Sequence, residues 1–429
     1  MRRLSSWVRG QLKSEFRRNA AWYTGLTGFQ RIAAMVQTIL IARALGITEY
    51  GVYGLLFGTI GLVASTAGLQ MGLTATVFVA RYKQDAQAKV AAVISVVSRF
   101  GWMVAGAILL LTIPFTENIS EYLLQSSSYQ LAVLLGAVFV GASIVSGIQN
   151  GVAQGLELFG PIAKVNAATA LLVLFSIVPA GGHFGLTGVL LVTLGGVVLK
   201  FALLNGVIRR KRSDLSVPKR GEGVSFSTLV SSFALPGMLV SLVVGGVTWF
   251  GMFILSRQDS GFEGVAVVNA ALQWRGPVLL FLSAISAVAI PRFSRLHATG
   301  DGQQSHQLRR RLALLNFAIA TTVGLAVIAG GGTILGLYGQ EFSGGRMAFS
   351  LIVLSTIPMV VANVYMQELV GAGRMWRQLW MHGPFLTILF VSLLLLVPMY
   401  GAFGYALSTF FGALAFFVHV VTKGNVSER

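Results

Sequence analysis

Cysteine is absent from the 429 residues, which removes disulfides, thiolate catalysis and cysteine-held metal ions from consideration. Charge is scarce as well, at 11% of residues, and acids number only 14 against 32 bases. No G-x-x-x-x-G-K-[ST] run occurs, and no stretch is long enough for a soluble nucleotide-binding domain, so an ATP-driven pump is excluded. His183, His297, His306, His382 and His419 lack metal-ligand spacing, so neither a metal nor another cofactor is expected. A polymerase or glycosyltransferase would need catalytic groups on an exposed loop. The longest outer loop, about 114–128, holds only Glu117 and Glu121 as acids, and the chain reads as a non-enzyme. The loops show no filter-like sequence that would mark a channel.

Apolar sequence takes the place of what is missing. Hydrophobic residues make up 55% of the chain and the mean hydropathy is +0.76, far above a soluble domain. Fifty-one glycines suit helices that approach closely in lipid, where small residues replace a hydrophobic driving force. Runs long enough to span a bilayer recur near 20–42, 50–78, 87–113, 129–152, 161–180 and 186–208, then near 226–256, 264–290, 312–337, 346–369, 382–399 and 402–422. The expected fold is therefore an all-α polytopic membrane protein with about twelve transmembrane helices. Its parts are a basic amphipathic segment (1–19), a six-helix bundle (20–208), a basic linker (209–225), a second six-helix bundle (226–422) and a tail (423–429).

Basic residues set the orientation. Twenty-five lie on the tails and on the alternate loops that share their side, whereas Arg43, Arg257 and Arg346 lie opposite. The positive-inside rule then places both termini in the cytoplasm. Leu4, Val8, Leu12 and Phe16 form one face of the N-terminal segment, suited to an anionic leaflet of membrane lipids. The basic runs at 209–212 and 309–311 are read as inner loops that record topology, and no nucleic-acid partner is expected.

An internal repeat links the halves. VPAGGHFG at 178–185 matches VPMYGAFG at 397–404 in five positions at a shift of 219 residues. Arg43 to Arg81 has the same separation as Arg257 to Arg295, and Glu49–Val52 faces Phe262–Val265. Six spans per half is an even number, so both halves enter the membrane in the same sense. That makes a parallel pseudo-repeat about an axis normal to the membrane, with a binding site expected at the midplane.

Four cations remain inside spans: Arg31, Arg99, Lys200 and Arg275. A charge at the bilayer centre costs about 2.5–3.5 kcal/mol on the most lenient scale, so each must face protein or water. Tyr23, Thr24, Thr27, Gln30, Arg31, Gln37 and Thr38 share one side of the first span, either lining a wet cavity or bonding backbone carbonyls. Arg99 shares a face with Ser95, Ser98 and Trp102. Lys200 is close enough to Arg209 to snorkel, and Arg275 precedes Gly276-Pro277, where it either binds a ligand or secures a proline-broken helix. No carboxylate lies mid-span, because Glu368 falls near an inner helix end. Cations without acidic partners fit an anionic ligand, and guanidinium offers paired donors to phosphate oxygens. Pro236, Gly237, Gly276, Pro277 and Pro358 are candidate bends.

Several loop runs, taken in order, resemble one family: RALGITEYGVYGL at 43–55, ARY at 80–82, YGQEFSGG at 338–345, QELVGAGR at 367–374 and P-x-x-G-x-FG at 398–404. Together they look like the polysaccharide and O-antigen flippases of the multidrug/oligosaccharidyl-lipid/polysaccharide exporter superfamily. The resemblance implies a V-shaped pair of six-helix bundles around a central cavity lined by cationic residues. It implies alternating access that moves a lipid-linked oligosaccharide, carried on a polyprenyl pyrophosphate, between leaflets of the bacterial inner membrane. Other polysaccharide-assembly proteins would then be its partners. The rival within the superfamily is a cation-coupled drug or metabolite exporter, which generally wants an intramembrane carboxylate.

Overall fold

A computed structural model describes residues 2–82, 87–212, 235–298, 301–371, 377 and 380–423. Side chains before Gly28 lie outside that description, as do most of the linker 209–225 and the tail beyond Lys423. Every element is helical: α1 (Arg2–Ala67), α2 (Met71–Tyr82), α3 (Gln87–Thr112), α4 (Thr116–Leu124), α5 (Gln130–Gly155), α6 (Phe159–Arg212), α7 (Leu235–Ser256), α8 (Gly261–Ala298), α9 (Gly302–Ala329), α10 (Gly331–Tyr338), α11 (Arg346–Gly371) and α12 (Gly383–Lys423).

Three of these are too long for one crossing, and each is broken at a glycine. The φ/ψ values are 76/172° at Gly46 in α1, 53/−141° at Gly185 in α6 and 54/−130° at Gly401 in α12. A side chain at positive φ meets its own carbonyl, so these are positions that glycine fills at little cost. Eight helical segments among the described residues are long and apolar enough to cross a membrane. Splitting the three long ones at their glycines and adding the 38-residue α8 yields the twelve spans of the sequence reading.

Contacts divide the chain into two units. The first comprises Met1–Ala44 and Leu56–Leu242, the second Leu45–Leu55 and Val243–Arg429. Two details differ from a simple cut at the linker: α7 is shared at Leu242, and eleven residues of the first half fold with the second unit. Gly46 lies at that first crossover.

In the first unit α2 and α5 cross on glycine. A methyl group on Gly72 would sit 2.7 Å from the Gly147 carbonyl, and one on Gly151 would strike the Gly72 carbonyl. Thr76 Oγ1 donates to the carbonyls of Gly72 and Gly151, both at 3.1 Å, so a hydroxyl stitches the two helices where their backbones meet. In lipid such close approach supplies the dispersion contacts that apolar burial supplies in water. In the second unit Val278, Ala320, Ile357 and Val360 form a core where α8, α9 and α11 meet.

The repeat is present, but its register differs from the letter-by-letter match. Gly185 and Gly401 both take positive φ, and three residues later Gly188 and Gly404 press on the carbonyls of Ala180 and Leu396. These pairs are shifted by 216 residues, not 219. The equivalent words are GLTG (185–188) and GAFG (401–404), while Pro179 and Pro398 occupy different positions relative to the break. Left-handed turns at Gly46 and Ser260 are 214 apart, the shift that also relates Arg43 to Arg257 and Arg81 to Arg295.

Three expected loops are helix. The segment 114–128, expected as an outer loop, contains α4, which buries Leu123 and Leu124. The basic run 209–212 ends α6, and 309–311 lies within α9. Both basic runs extend their helices beyond the apolar spans, with Arg209, Arg210, Lys211, Arg310 and Arg311 exposed.

Candidate functional site

In the first unit the polar side of α1 divides by chemistry. Gln37 Nε2 donates to the Ala170 carbonyl of α6 at 2.9 Å, and Thr38 Oγ1 returns to its own helix at the Met35 carbonyl, 2.8 Å away. Both are the backbone-bonding alternative of the sequence reading. Arg31 is exposed and Gln30 half-buried, whereas the Thr27 side chain lies outside the described residues. Arg99 on α3 is exposed too. No hydrogen bond or ion pair engages either Arg31 or Arg99 among the described residues. One turn after Arg99, Trp102 meets Phe201 edge-on with centroids 5.7 Å apart, which brings α3 and α6 together. Half-buried Lys200 adjoins that contact. The contact thus joins the helices that carry Arg99 and Lys200, a pairing that no sequence spacing announced.

In the second unit Arg275 is held by α11. Its Nε donates to Thr356 Oγ1 at 3.1 Å, and Nη2 approaches Met359 Sδ at 2.7 Å. These partners bracket Pro358, whose missing N–H leaves a gap in the α11 ladder. Arg275 is therefore bonded to a neighbouring proline turn as well as lying beside its own Gly276-Pro277. The helix is continuous through Gly276, Pro277 and Pro358, and Pro236 and Gly237 sit in the first turn of α7. Side chains of Pro236 and Pro277 lie outside the described residues. Interruptions of the described helices fall instead at Gly46, at Gly185, at Gly401 and around Leu69-Gln70.

Two of the motif runs meet at one end of this unit. Tyr50 lies 6.2 Å from Tyr338 and 5.9 Å from Phe342, ring to ring, and Tyr53 stacks on Tyr50 at 6.0 Å. The Ile47 amide donates to Glu341 Oε2 at 3.4 Å, and Trp274 Nε1 donates to the Tyr338 hydroxyl at 3.2 Å. Gly51 and Gly54 have no room for a side chain, because one would strike the Phe262 carbonyl and the other the Asn269 amide. GITEYGVYG and YGQEF are thus two faces of one aromatic joint, which explains their residue types without any ligand.

The sequence reading missed an ion pair. Arg309 Nη1 lies 2.8 Å from Glu368 Oε2, Ser305 Oγ donates to Glu368 Oε1 at 2.6 Å, and the guanidinium covers the Tyr365 ring at 4.8 Å. Arg309 is 5% exposed and Glu368 2%, while Arg310 and Arg311 face outward. One member of the basic run is thus structural. The signal was available: Ser305 and Arg309 are four apart on a helix, a spacing that puts both on one face.

The sequence comparisons add a family. The family described as polysaccharide biosynthesis protein matches residues 16–297. Among solved structures, the inward-facing conformation of a multidrug resistance MATE family transporter of the MOP superfamily has a TM-score of 0.76 at 13% identity, covering 92% of this chain and 94% of that one. A MOP superfamily transporter from Pyrococcus furiosus, with a binding pocket described as reversed in polarity, scores 0.69 at 14% identity over 96% of each chain. A Vibrio cholerae MATE transporter scores 0.67 at 14% identity, covering 95% of this chain and 96% of its own. No curated protein matches. At such identities the solved structures speak for the fold.

Proposed function

We propose, from the premise that the chain belongs to the polysaccharide biosynthesis protein family, that it is a flippase for a polyprenyl-pyrophosphate-linked oligosaccharide. The family match carries this reading, and the spanning cations give it chemistry. Arg31 and Arg99 sit in apolar helices, exposed and unmatched by a carboxylate among the described residues, so a diphosphate is the counter-charge they best suit. Arg275 and Lys200 would extend that cationic lining, with Thr27, Gln30 and Thr38 alongside. Thr38 and Arg275 already hold intramolecular partners, so they contribute less than Arg31 and Arg99.

The cycle would be alternating access in the bacterial inner membrane, with both termini cytoplasmic and membrane lipids and polysaccharide-assembly proteins as partners. The rival is the cation-coupled exporter, favoured by the multidrug transporters among the similar folds. Against it stands Glu368: the acid at the inner end of α11 is neutralised by Arg309 and not free to carry a cation.

Proteoliposomes given a lipid-linked oligosaccharide and a cationic drug side by side test the reading. Leaflet exchange of the lipid alone is expected, and Arg31→Ala or Arg99→Ala should cut it at least tenfold with insertion intact. Uptake of the drug alone would overturn it in favour of the exporter.

A further inference from the structure

The second span does not run through the membrane unbroken. After Ala67 the helix stops, Leu69 and Gln70 take φ of 48° and 49°, and α2 begins at Met71. Two successive non-glycine residues in the left-handed region are uncommon, and no proline forces them there. Leu69 N–H donates to the Thr66 carbonyl and Met71 N–H to that of Gly68, so the regular four-residue ladder lapses. Gln70 lies about 16 Å along the helix from Arg81 at the inner face, which places the lapse at membrane depth. Non-helical backbone at such depth is tolerated where it is buried in protein or lines a wet cavity.

A cavity of about 460 Å³ is there, wholly within the first unit, between the end of α1, α2 and the middle of α5. That volume falls in the range of small-molecule sites. Its polar lining is Ser65, Gln70, Thr76, Ser143, Asn150 and Gln154, and none of the described lining residues is ionisable. Gly72, Gly147 and Gly151 also line it, and of these Gly147 is exposed whereas Gly151 is buried against Gly72. The rim is fixed, because Gln70 Nε2 donates to Ser241 Oγ of α7 at 2.8 Å. Asn150 lines the cavity, and its Oδ1 is buried just behind the wall with no hydrogen-bond partner among the described residues. A buried amide oxygen without a donor is costly, and a turn of the Asn150 side chain toward the cavity would let a ligand relieve it.

We propose that this cavity is a subsite for one uncharged sugar unit, resting on the reading of the chain as an oligosaccharide flippase. Hydroxyls of a sugar accept from the amides of Asn150 and Gln154, and a turn of the Asn150 side chain brings its unpaired Oδ1 to a sugar hydroxyl that donates to it. Ser65 and Thr76 already donate to the Leu62, Gly72 and Gly151 carbonyls and keep acceptor capacity, Ser143 adds a hydroxyl, and exposed Gly147 admits the C–H face of a pyranose ring. The absence of charge among the described lining residues separates this subsite from Arg31 and Arg99: the pyrophosphate belongs with the cations, and the neutral sugar belongs here.

The cysteine-free chain allows a direct test on the full-length protein in nanodiscs. Ser143→Cys places a thiol in the cavity, and Ser127→Cys places one on the outer loop as control. Maleimide labelling is measured with 100 mM glucose, galactose, rhamnose or N-acetylglucosamine, with glucuronate, and with inorganic pyrophosphate. At least one neutral sugar should slow Ser143→Cys labelling fivefold or more, leave Ser127→Cys unchanged, and lose its effect when Asn150→Leu is added; Gln154→Leu serves if Asn150→Leu fails to fold. Equal protection by pyrophosphate, or none by any neutral sugar, overturns the subsite. Lipid exchange without sugar protection sinks the subsite and spares the flippase; protection without exchange does the reverse.

Discussion

Removing Glu368 alone should harm the protein more than removing Glu368 and Arg309 together. The carboxylate accepts from Arg309 at 2.8 Å and from Ser305 at 2.6 Å, and both charged side chains are almost fully buried. Unit charges about 4 Å apart attract by about 4 kcal/mol at an effective dielectric of 20, and desolvation of both groups consumes most of that gain. The pair is thus close to neutral as a pair, yet orphaning one partner leaves a buried charge at about 3–5 kcal/mol. Glu368→Ala should therefore lower the unfolding midpoint in detergent by on the order of 10 °C, taking the second unit as the cooperative species. Arg309→Met/Glu368→Leu should recover most of it. The residual deficit reflects the lost guanidinium contact over Tyr365, about 0.5–2 kcal/mol. Fluorescence-detected size exclusion after heating reads the order of the variants, and raising salt to 1 M should not narrow the gaps, because buried pairs are poorly screened. A double variant as unstable as the sum of its singles would refute the reasoning, as would a Glu368→Ala midpoint equal to wild type.

Gly151→Ala drives a methyl group into the Gly72 carbonyl and should destabilise the first unit by about 1–3 kcal/mol, whereas Gly147→Ala, with open space around it, should be silent in the same melting assay. Gly185→Ala and Gly401→Ala should each cost about 1–2 kcal/mol through their positive φ, while Gly182→Ala, helical and unhindered, should cost little. Equal sensitivity of Gly182 and Gly401 would instead favour the 219-residue register over the 216-residue one. Tyr50→Ala empties the aromatic joint beside Tyr338 and Phe342 and should destabilise the second unit by about 3–5 kcal/mol, whereas Tyr50→Phe, which keeps the ring, should cost much less in the same melting assay.

How far the sequence could be read depends on which physical term sets each feature. The twelve spans were legible because span length follows from bilayer thickness and apolar composition alone. The two-fold repetition was legible in outline, since Arg43/Arg257 and Arg81/Arg295 keep a common shift. Its register at the last pair of spans was not, because letter identity weighs Pro179 and Pro398 equally with glycine. In a helix the proline position is negotiable and the left-handed glycine is not. The same logic hid the break at Leu69-Gln70: no residue type there demands positive φ, so only tertiary packing of Gln70 against Ser241 and of Gly72 against α5 could impose it. Cations followed a third rule. Charge at membrane depth announces itself in any sequence, but its partner does not. Arg275 and Arg309 proved to be tied down by residues 81 and 59 positions away, while Arg31 and Arg99 stay exposed. Bonding within the fold thus divides the cations into those already engaged and those with no hydrogen bond or ion pair among the described residues. That division narrows the diphosphate hypothesis to two arginines of the first unit, where the neutral cavity also lies.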